Sequence, residues 1–275
     1  LESSGIANPR GTASEIIAAI LDVARSWPIM NREAAIDSSV VSRARTAAKK
    51  LTQGAPFAYA VGTAAFRHLN LAVDARVLIP RPETELLVGK VLDRMKVAFG
   101  ESSWGTAIDV GTGSGAIALA LASEGRFDTV IGTDASRDAL DVARANAERL
   151  AAKLRTRIEF RRGSLLSPVL QTKASVIVSN PPYIAFSEAE ALPESVRDWE
   201  PPIALFSAQN GMAATAGIVR DAAGCLKQDG LLAFEADERR ASLVAEMLLQ
   251  NGSYRDVSVG LDLTGRERFV FALRN

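Results

Sequence analysis

Hydrophobic positions in this chain recur at two spacings. Near the start they follow a helical interval, with Ile17, Ile20, Leu21 and Ala24 on one face of a helix expected over residues 15–25 and capped by Ser14. Trp27-Pro28 is expected to end that helix. A second helical stretch over 31–51 should close at the Gly54 to Pro56 turn, while residues 1–11 read as frayed. Over 59–79 the pattern shifts to aromatic and β-branched positions around Leu69-Asn70, which predicts a β-hairpin turning at that pair.

Residues 79–85, Ile-Pro-Arg-Pro-Glu-Thr-Glu, read as a stiff hinge, because each proline fixes its own φ and pushes its predecessor into an extended shape. A helix over 84–99 follows. Short apolar runs then predict strands at 107–110, 130–133, 158–160, 175–178, 231–234, 257–259 and 269–273. Helical periods fall between them at 116–123, 137–153, 213–226 and 239–249. Such alternation predicts βαβ units and a parallel sheet covered on both faces. The proline-rich stretch 180–210 has no clear period, and a loop of that length in a compact domain is usually functional or disordered.

Composition narrows the classes. With 275 residues and 48% hydrophobic content, the chain can build one large core or two smaller ones. Lys+Arg and Asp+Glu stand at 32 each, so no net field draws it to nucleic acid or a membrane surface. The first 74 residues hold 8 basic and 6 acidic side chains, a charge of 8 − 6 = +2. Cys225 is the single cysteine and His68 the single histidine, which excludes an internal disulfide and an ordinary zinc site. Cys225 reads as a small buried apolar residue and His68 as a surface or hairpin one. The apolar run 116–122 is far below the ~20 residues of a membrane span. No signal-peptide pattern opens the sequence, so a reducing cytoplasm is the expected compartment.

Two stretches carry chemistry. Asp109-Val110-Gly111-Thr112-Gly113-Ser114-Gly115-Ala116 lies where a strand ends and a helix begins. Glycines there let the backbone turn sharply and a ligand approach without meeting a Cβ, while the helix start offers free N–H groups. Asp134 ends the next strand, where a carboxylate can accept both hydroxyls of a ribose. The loop alone leaves the cofactor open: S-adenosylmethionine fits, and Gly111, Gly113 and Ala116 also satisfy the dinucleotide fingerprint.

The second stretch is Ser179-Asn180-Pro181-Pro182-Tyr183, after the apolar run Val176-Ile177-Val178. Its plain reading is a strand-ending turn. Its chemical reading is a site for a planar nitrogen nucleophile whose lone pair is delocalised. Acceptors such as the Asn180 side-chain oxygen and the Pro181 carbonyl can orient both N–H groups of that nitrogen. Tyr183 offers a face for stacking. Neither a histidine base nor a metal is required.

The combination resembles the HemK/PrmC-type N5-glutamine methyltransferases, which modify the glutamine of the Gly-Gly-Gln motif in class I peptide-chain release factors. The likeness spans nearly the whole chain. It includes Tyr59 to Gly62 with Phe66, the Ile79 to Glu85 segment, Asp109 to Gly115, Asp134, Ser179 to Ile184, Trp199-Glu200-Pro201 with Ala204-Leu205, and Gly265 to Phe271. Asn-Pro-Pro-Tyr alone is shared with adenine-N6 and guanine-N2 nucleic-acid methyltransferases, whereas its pairing with the Ile79 to Glu85 segment is far more specific.

The resemblance implies a seven-stranded Rossmann-like class I methyltransferase domain over 83–275. A helical substrate-docking domain over 1–58 and a linking hairpin over 59–82 would precede it. Gly111, Thr112, Gly113, Ser114 and Gly115 would hold the methionine part of S-adenosyl-L-methionine, Asp134 its ribose, and Leu165 would flank the adenine. Asn180 would contact cofactor and substrate, with Pro181, Pro182 and Tyr183 shaping the glutamine pocket and Asn180, Pro181 and Tyr183 acting in catalysis. The implied partner is a class I release factor, bound by a monomer without membrane or stable nucleic-acid association. Three positions depart from the family pattern: Ser164 stands where an acid is usual, with Leu165 in place of a frequent aromatic. Asp237 replaces the glycine of a Glu-x-Gly, and His68-Leu69-Asn70 lacks a hairpin glycine. A ribosomal-protein glutamine, a nucleic-acid exocyclic amine, a nucleotide-dependent oxidoreductase and a non-catalytic cofactor-binding adaptor are the competing readings.

Overall fold

The computed structural model describes residue 6 and residues 8–275, so the fraying expected for 1–11 falls partly outside the described residues. Helix α1 (Pro9–Leu21) starts earlier than predicted. Asn8 caps it by accepting from the Gly11 N–H at 3.0 Å, and Pro9 takes the first helical position, where a missing N–H costs nothing. Ser14 sits inside the helix, donating to the Arg10 carbonyl at 3.1 Å. Trp27-Pro28 opens the short α2 (Trp27–Met30) instead of ending a helix, for the same reason of proline placement. Asp37 caps α3 (Ser38–Thr52) through the Ser39 N–H at 2.7 Å, which trims the stretch predicted from residue 31. Residues expected to open the hairpin instead form α4 (Phe57–Val61). Ile16, Ile20, Ala47, Ala60 and Val61 make the small core of these helices.

Strands β1 (Thr63–Phe66) and β2 (Leu69–Ala72) form the hairpin, and the turn is Arg67-His68 rather than Leu69-Asn70. Arg67 holds a left-handed φ of +52° without being glycine. Its side chain is anchored: two nitrogens reach the Glu124 carboxylate at 2.6 Å each and a third the Glu85 carbonyl at 2.8 Å. His68 is exposed at this turn. Phe66, Leu69 and Leu71 pack into the larger core that follows.

From there the chain runs α5 (Pro82–Phe99), β3 (Thr106–Val110), α6 (Ala116–Glu124), β4 (Thr129–Asp134), α7 (Arg137–Arg149), β5 (Arg157–Arg162) and β6 (Ala174–Ser179). The segment after β6 is not structureless. It carries a 3-10 turn (Phe186–Ala191), α8 (Glu194–Arg197) and α9 (Pro202–Leu205), and is closed by a bridge between Ile184 and Phe206. Then come α10 (Ala213–Cys225), β7 (Leu226–Glu235), α11 (Ala241–Asn251), β8 (Tyr254–Leu261) and β9 (Glu267–Arg274).

The seven strands order as β5-β4-β3-β6-β7-β9-β8. The first five run parallel, β9 alone is reversed, and β8, antiparallel to β9, runs in the same direction as the first five, so the sheet is mixed and not wholly parallel as predicted. Alternate strand residues feed two cores: Ala107, Val130, Val176 and Val178 face α5 and α6, while Ile108, Ile131, Ile177 and Leu232 face α10 and α11. Cys225 is fully buried in the second core. Chain order reverses between β3 and β6, which are neighbours although two strands separate them in sequence. Ligands bind beyond the strand ends at such a switch point. Among the described residues no helix is long and apolar enough to cross a membrane.

Candidate active site at the switch point

Val110 and Ser179 are register partners at the ends of β3 and β6, and the Ser179 hydroxyl donates to the Val110 carbonyl at 2.7 Å. The glycine loop and the Asn180 turn therefore leave the sheet side by side. Gly111 takes φ +76°, and its N–H with that of Thr112 donates to the Thr133 carbonyl at 2.9 Å, folding the loop back over β4. A Cβ on Gly111 or Gly113 would meet no atom within 4 Å, so both glycines keep one face open. Gly115 does different work: a Cβ there would lie 3.0 Å from Leu119 Cδ1 and 3.3 Å from Ala143 Cβ, so this glycine serves helix packing.

Asp134 faces the open side. Its carboxylate accepts from the Gly113 N–H at 2.9 Å and the Ser136 N–H at 2.8 Å, one per oxygen, which fixes its orientation and leaves lone pairs for a diol. Burial raises its pKa, partly offset by these backbone donors. Behind the loop, Asp109 accepts from the Thr112 hydroxyl at 2.6 Å and the Ala118 N–H at 3.1 Å through one oxygen, while Oδ1 is buried without a partner. Leu165 lies across from them with φ +50°, held by a 2.9 Å bond from the Thr133 hydroxyl to its carbonyl.

Two clefts meet at Asn180. One of about 180 Å³ is lined by Gly111, Gly113, Asp134, Ser164, Leu165, Asn180 and Pro182. The other, about 210 Å³, is lined by Arg81, Asn180, Pro181, Pro182, Tyr183 and Ile184. A small recess of about 50 Å³ between them reaches Thr112 and Ser114. Open glycine faces, free helix-start amides and an oriented carboxylate on one wall fit S-adenosylmethionine, with its anionic carboxylate and its ribose. A larger apolar cavity of about 420 Å³ under the end of α5, lined by Ser175, Leu231 and Phe271, is remote from both clefts.

Several groups around Asn180 carried no signal at the level of sequence pattern. The Asn180 side-chain amide donates to the Thr84 hydroxyl at 3.1 Å, which donates to Glu235 at 2.7 Å. Burial pushes the Glu235 carboxyl up to about 7. Glu200, nearly fully buried, pairs with Arg81 and accepts from the Ile79 N–H at 3.2 Å, tying the loop to the proline hinge. Arg240 bonds Glu188 at 2.6 Å and the Asn210 carbonyl at 3.1 Å. Burial, then the charge of Glu235, pushes the Tyr183 phenol up to about 12, so it stays protonated and offers a ring and an O–H, not a base. Thr84 and Glu200 sit inside family-like segments quoted above, but their partners are over a hundred residues away.

Comparison with known proteins places these features in a family. A profile described as methyltransferase small domain matches residues 84–194, and one described as PrmC N-terminal domain matches residues 1–62. The chain is similar to a release factor glutamine methyltransferase of Rhodopirellula baltica, 37% identical over 227 residues, covering 82% of this chain and 76% of the relative. It is also similar to a release factor glutamine methyltransferase of Moorella thermoacetica, 35% identical over 274 residues, covering 100% of this chain and 94% of the relative. A crystal structure of a methyltransferase from Pyrococcus furiosus shares the fold at a TM-score of 0.55 and 17% identity, covering 76% of this chain and 90% of that one. At these identities over most of both chains, with the glycine loop and the Asn180 turn meeting at one switch point, this protein belongs to the release factor glutamine methyltransferase family.

Proposed function

We propose that the protein transfers a methyl group from S-adenosylmethionine to the side-chain amide nitrogen of the glutamine in the Gly-Gly-Gln motif of class I peptide-chain release factors. The observation that carries the reading is that Asn180 and Pro182 line both clefts, so a ligand in each would meet at the same turn. When bound, S-adenosylmethionine supplies an electrophilic methyl group. Gly111, Thr112, Gly113 and Ser114 would hold its methionine end, Asp134 its ribose and Leu165 its adenine. Gly115 would support them through packing.

Asn180 Oδ1 and the Pro181 carbonyl would accept the two N–H groups of the glutamine amide. These bonds would orient the nitrogen and favour the positive charge that grows on it as the new C–N bond replaces the methyl carbon's bond to sulfur, whose electron pair would leave with the sulfur as a neutral thioether. Fixing the nitrogen in line can contribute up to about 7 to 11 kcal/mol in well-oriented systems. Pro182 and Tyr183 would shape the slot. The proton lost from the methylated nitrogen passes to solvent, since Tyr183 stays protonated. The domain division at 1–58, 59–82 and 83–275 assigns release-factor docking to the helical part, whose matched profile is the PrmC N-terminal domain.

The test supplies labelled cofactor with release factor, ribosomes and DNA in parallel, followed by mass spectrometry of the release-factor peptide. One added methyl on the Gly-Gly-Gln glutamine is the expected result. Label in ribosomal protein or DNA instead would overturn the assignment.

A further inference from the structure

Asn180 can act as an acceptor only if its amide is turned the right way, and nothing in its own chemistry decides that. An asparagine side chain presents an oxygen or an NH2 group, nearly equal in shape and opposite in hydrogen-bonding sense. Here the NH2 group donates to Thr84 Oγ1 at 3.1 Å, and the Thr84 hydroxyl donates its single proton to Glu235 Oε2 at 2.7 Å. Thr84 is 5% and Glu235 2% exposed, so water does not offer either an alternative partner. A buried carboxylate is an acceptor only. It claims the threonine proton, and the threonine oxygen must then accept from Asn180.

We infer that Thr84 and Glu235 are positioning residues that orient the Asn180 amide, so that Oδ1 is presented to the substrate nitrogen. The inference rests on the function proposed above and deepens it. The placement follows from the fold: Ser179 and Phe234 are register partners, so Asn180 and Glu235 leave adjacent strands at one level. Thr84, in the first turn of α5, sits between them. Protonation of Glu235 removes the constraint, because a neutral carboxyl can donate to Thr84 and let the chain of donors reverse. Burial pushes this carboxyl up to about 7, which brings the reversal into the working range. The charged or titratable groups facing it are Arg268 on β9, Arg81 and Glu83 at the start of α5, and Tyr183 after β6.

Three variants test this. Thr84→Val keeps the shape and removes the hydroxyl; it is expected to lower kcat 10- to 100-fold while KM for cofactor changes less than about twofold. Thr84→Ser should restore kcat to within about threefold and keep the acid limb of the wild-type pH profile. Glu235→Gln should lose that limb. Parallel loss of kcat and cofactor affinity in Thr84→Val, with no rescue by serine, would mean a purely structural role and overturn the inference. A second readout needs no turnover: the side-chain amide signals of Asn180, assigned by their loss in Asn180→Ala, should titrate in the wild type and not in Glu235→Gln. Signals indifferent to pH in the wild type refute the reversal on protonation, and signals unchanged between wild type and Thr84→Val refute the positioning role. If the wild type fails to methylate release factor, the proposed function falls, while the amide titration still decides the orientation.

Discussion

Asn146 donates its side-chain amide to the Ser114 carbonyl at 2.9 Å, and so braces the glycine loop from behind. The same amide donates to the Ala72 carbonyl at 3.0 Å, and its oxygen accepts from the Ala72 N–H at 2.7 Å. One fully buried side chain thus joins α7, the hairpin and the cofactor loop. Asn146→Ala leaves three backbone groups without partners, and it is expected to lower unfolding free energy by about 3 kcal/mol. Asn146→Asp keeps the acceptor and loses both donors, so it should weaken cofactor binding more than its stability loss suggests. Denaturant unfolding and cofactor titration by calorimetry measure the two effects. Unchanged cofactor affinity in Asn146→Asp would show that the loop holds its shape unaided.

Gly211 sets the position of Tyr183 by having no side chain. It takes φ +87°, and a Cβ there would lie 2.1 Å from the Tyr183 carbonyl oxygen. Backbone cannot yield as a flexible side chain would. Gly211→Ala should therefore shift the Asn180 to Tyr183 turn, at a cost of about 3 kcal/mol in stability and a loss of more than tenfold in kcat/KM. Gly224→Ala is the control, since its Cβ would meet nothing within 4 Å in the exposed part of α10. That substitution should raise stability by about 0.5 to 1 kcal/mol with activity unchanged. Equal behaviour of the two variants in unfolding and turnover assays would contradict the packing argument.

The glycine loop was legible in the sequence because its determinants are local: Gly111 to Asp134 span one strand-helix-strand unit, and each part has its own signature. Strand number was legible too, from apolar runs at the right lengths. The reversed direction of β9 was not, since the period of two along a strand is the same whichever way it runs. The misplaced start of α1 has a local cause, as Asn8-Pro9 reads equally as a turn or a helix cap. Arg67 could turn the hairpin without glycine because Glu124, distant in sequence, holds its side chain. Thr84 and Glu235 escaped notice for the same reason. Their contact joins residues 151 apart, and neither alone carries a pattern that pairs them.

The long loop after β6 is braced at Arg240. This residue is 7% exposed; its guanidinium bonds the Glu188 carboxylate at 2.6 Å, and Glu188 also accepts from the Ala185 N–H at 2.8 Å. That backbone donor and then Arg240 hold the Glu188 carboxyl below its ordinary range. Asp237 lies 3.5 Å from the same guanidinium. Arg240→Met is expected to cost roughly 2 kcal/mol, as it removes the more buried of the two arginines paired with Glu188, leaving only the exposed Arg239, and also the bond to the Asn210 carbonyl. Limited proteolysis between residues 185 and 210 should accelerate, and KM for release factor should rise while KM for cofactor stays constant. A rise in cofactor KM alone would place the brace on the other cleft.

Asp109 gives the cofactor loop a pH-dependent foundation. Its carboxyl is fully buried, Oδ1 has no partner, and burial pushes it up to about 7 against the lowering by Thr112 and the Ala118 N–H. The folded protein therefore holds a proton that the unfolded chain releases near the ordinary value of 3.8. Between about pH 4 and pH 7 the unfolded state binds fewer protons at this site, so its contribution to stability, complete below that window, is lost as pH rises through it. Above about pH 7 both states are ionised and the dependence ends. Asp109→Asn keeps a neutral side chain of the same shape at every pH. Relative to wild type, the variant should gain stability as pH rises from 4 to 7, by an amount on the order of 4 kcal/mol for a shift of about three pH units. The comparison cancels other titrating groups, since only position 109 differs. Urea unfolding of both proteins across that range measures it, and a difference that stays flat with pH would place the proton elsewhere.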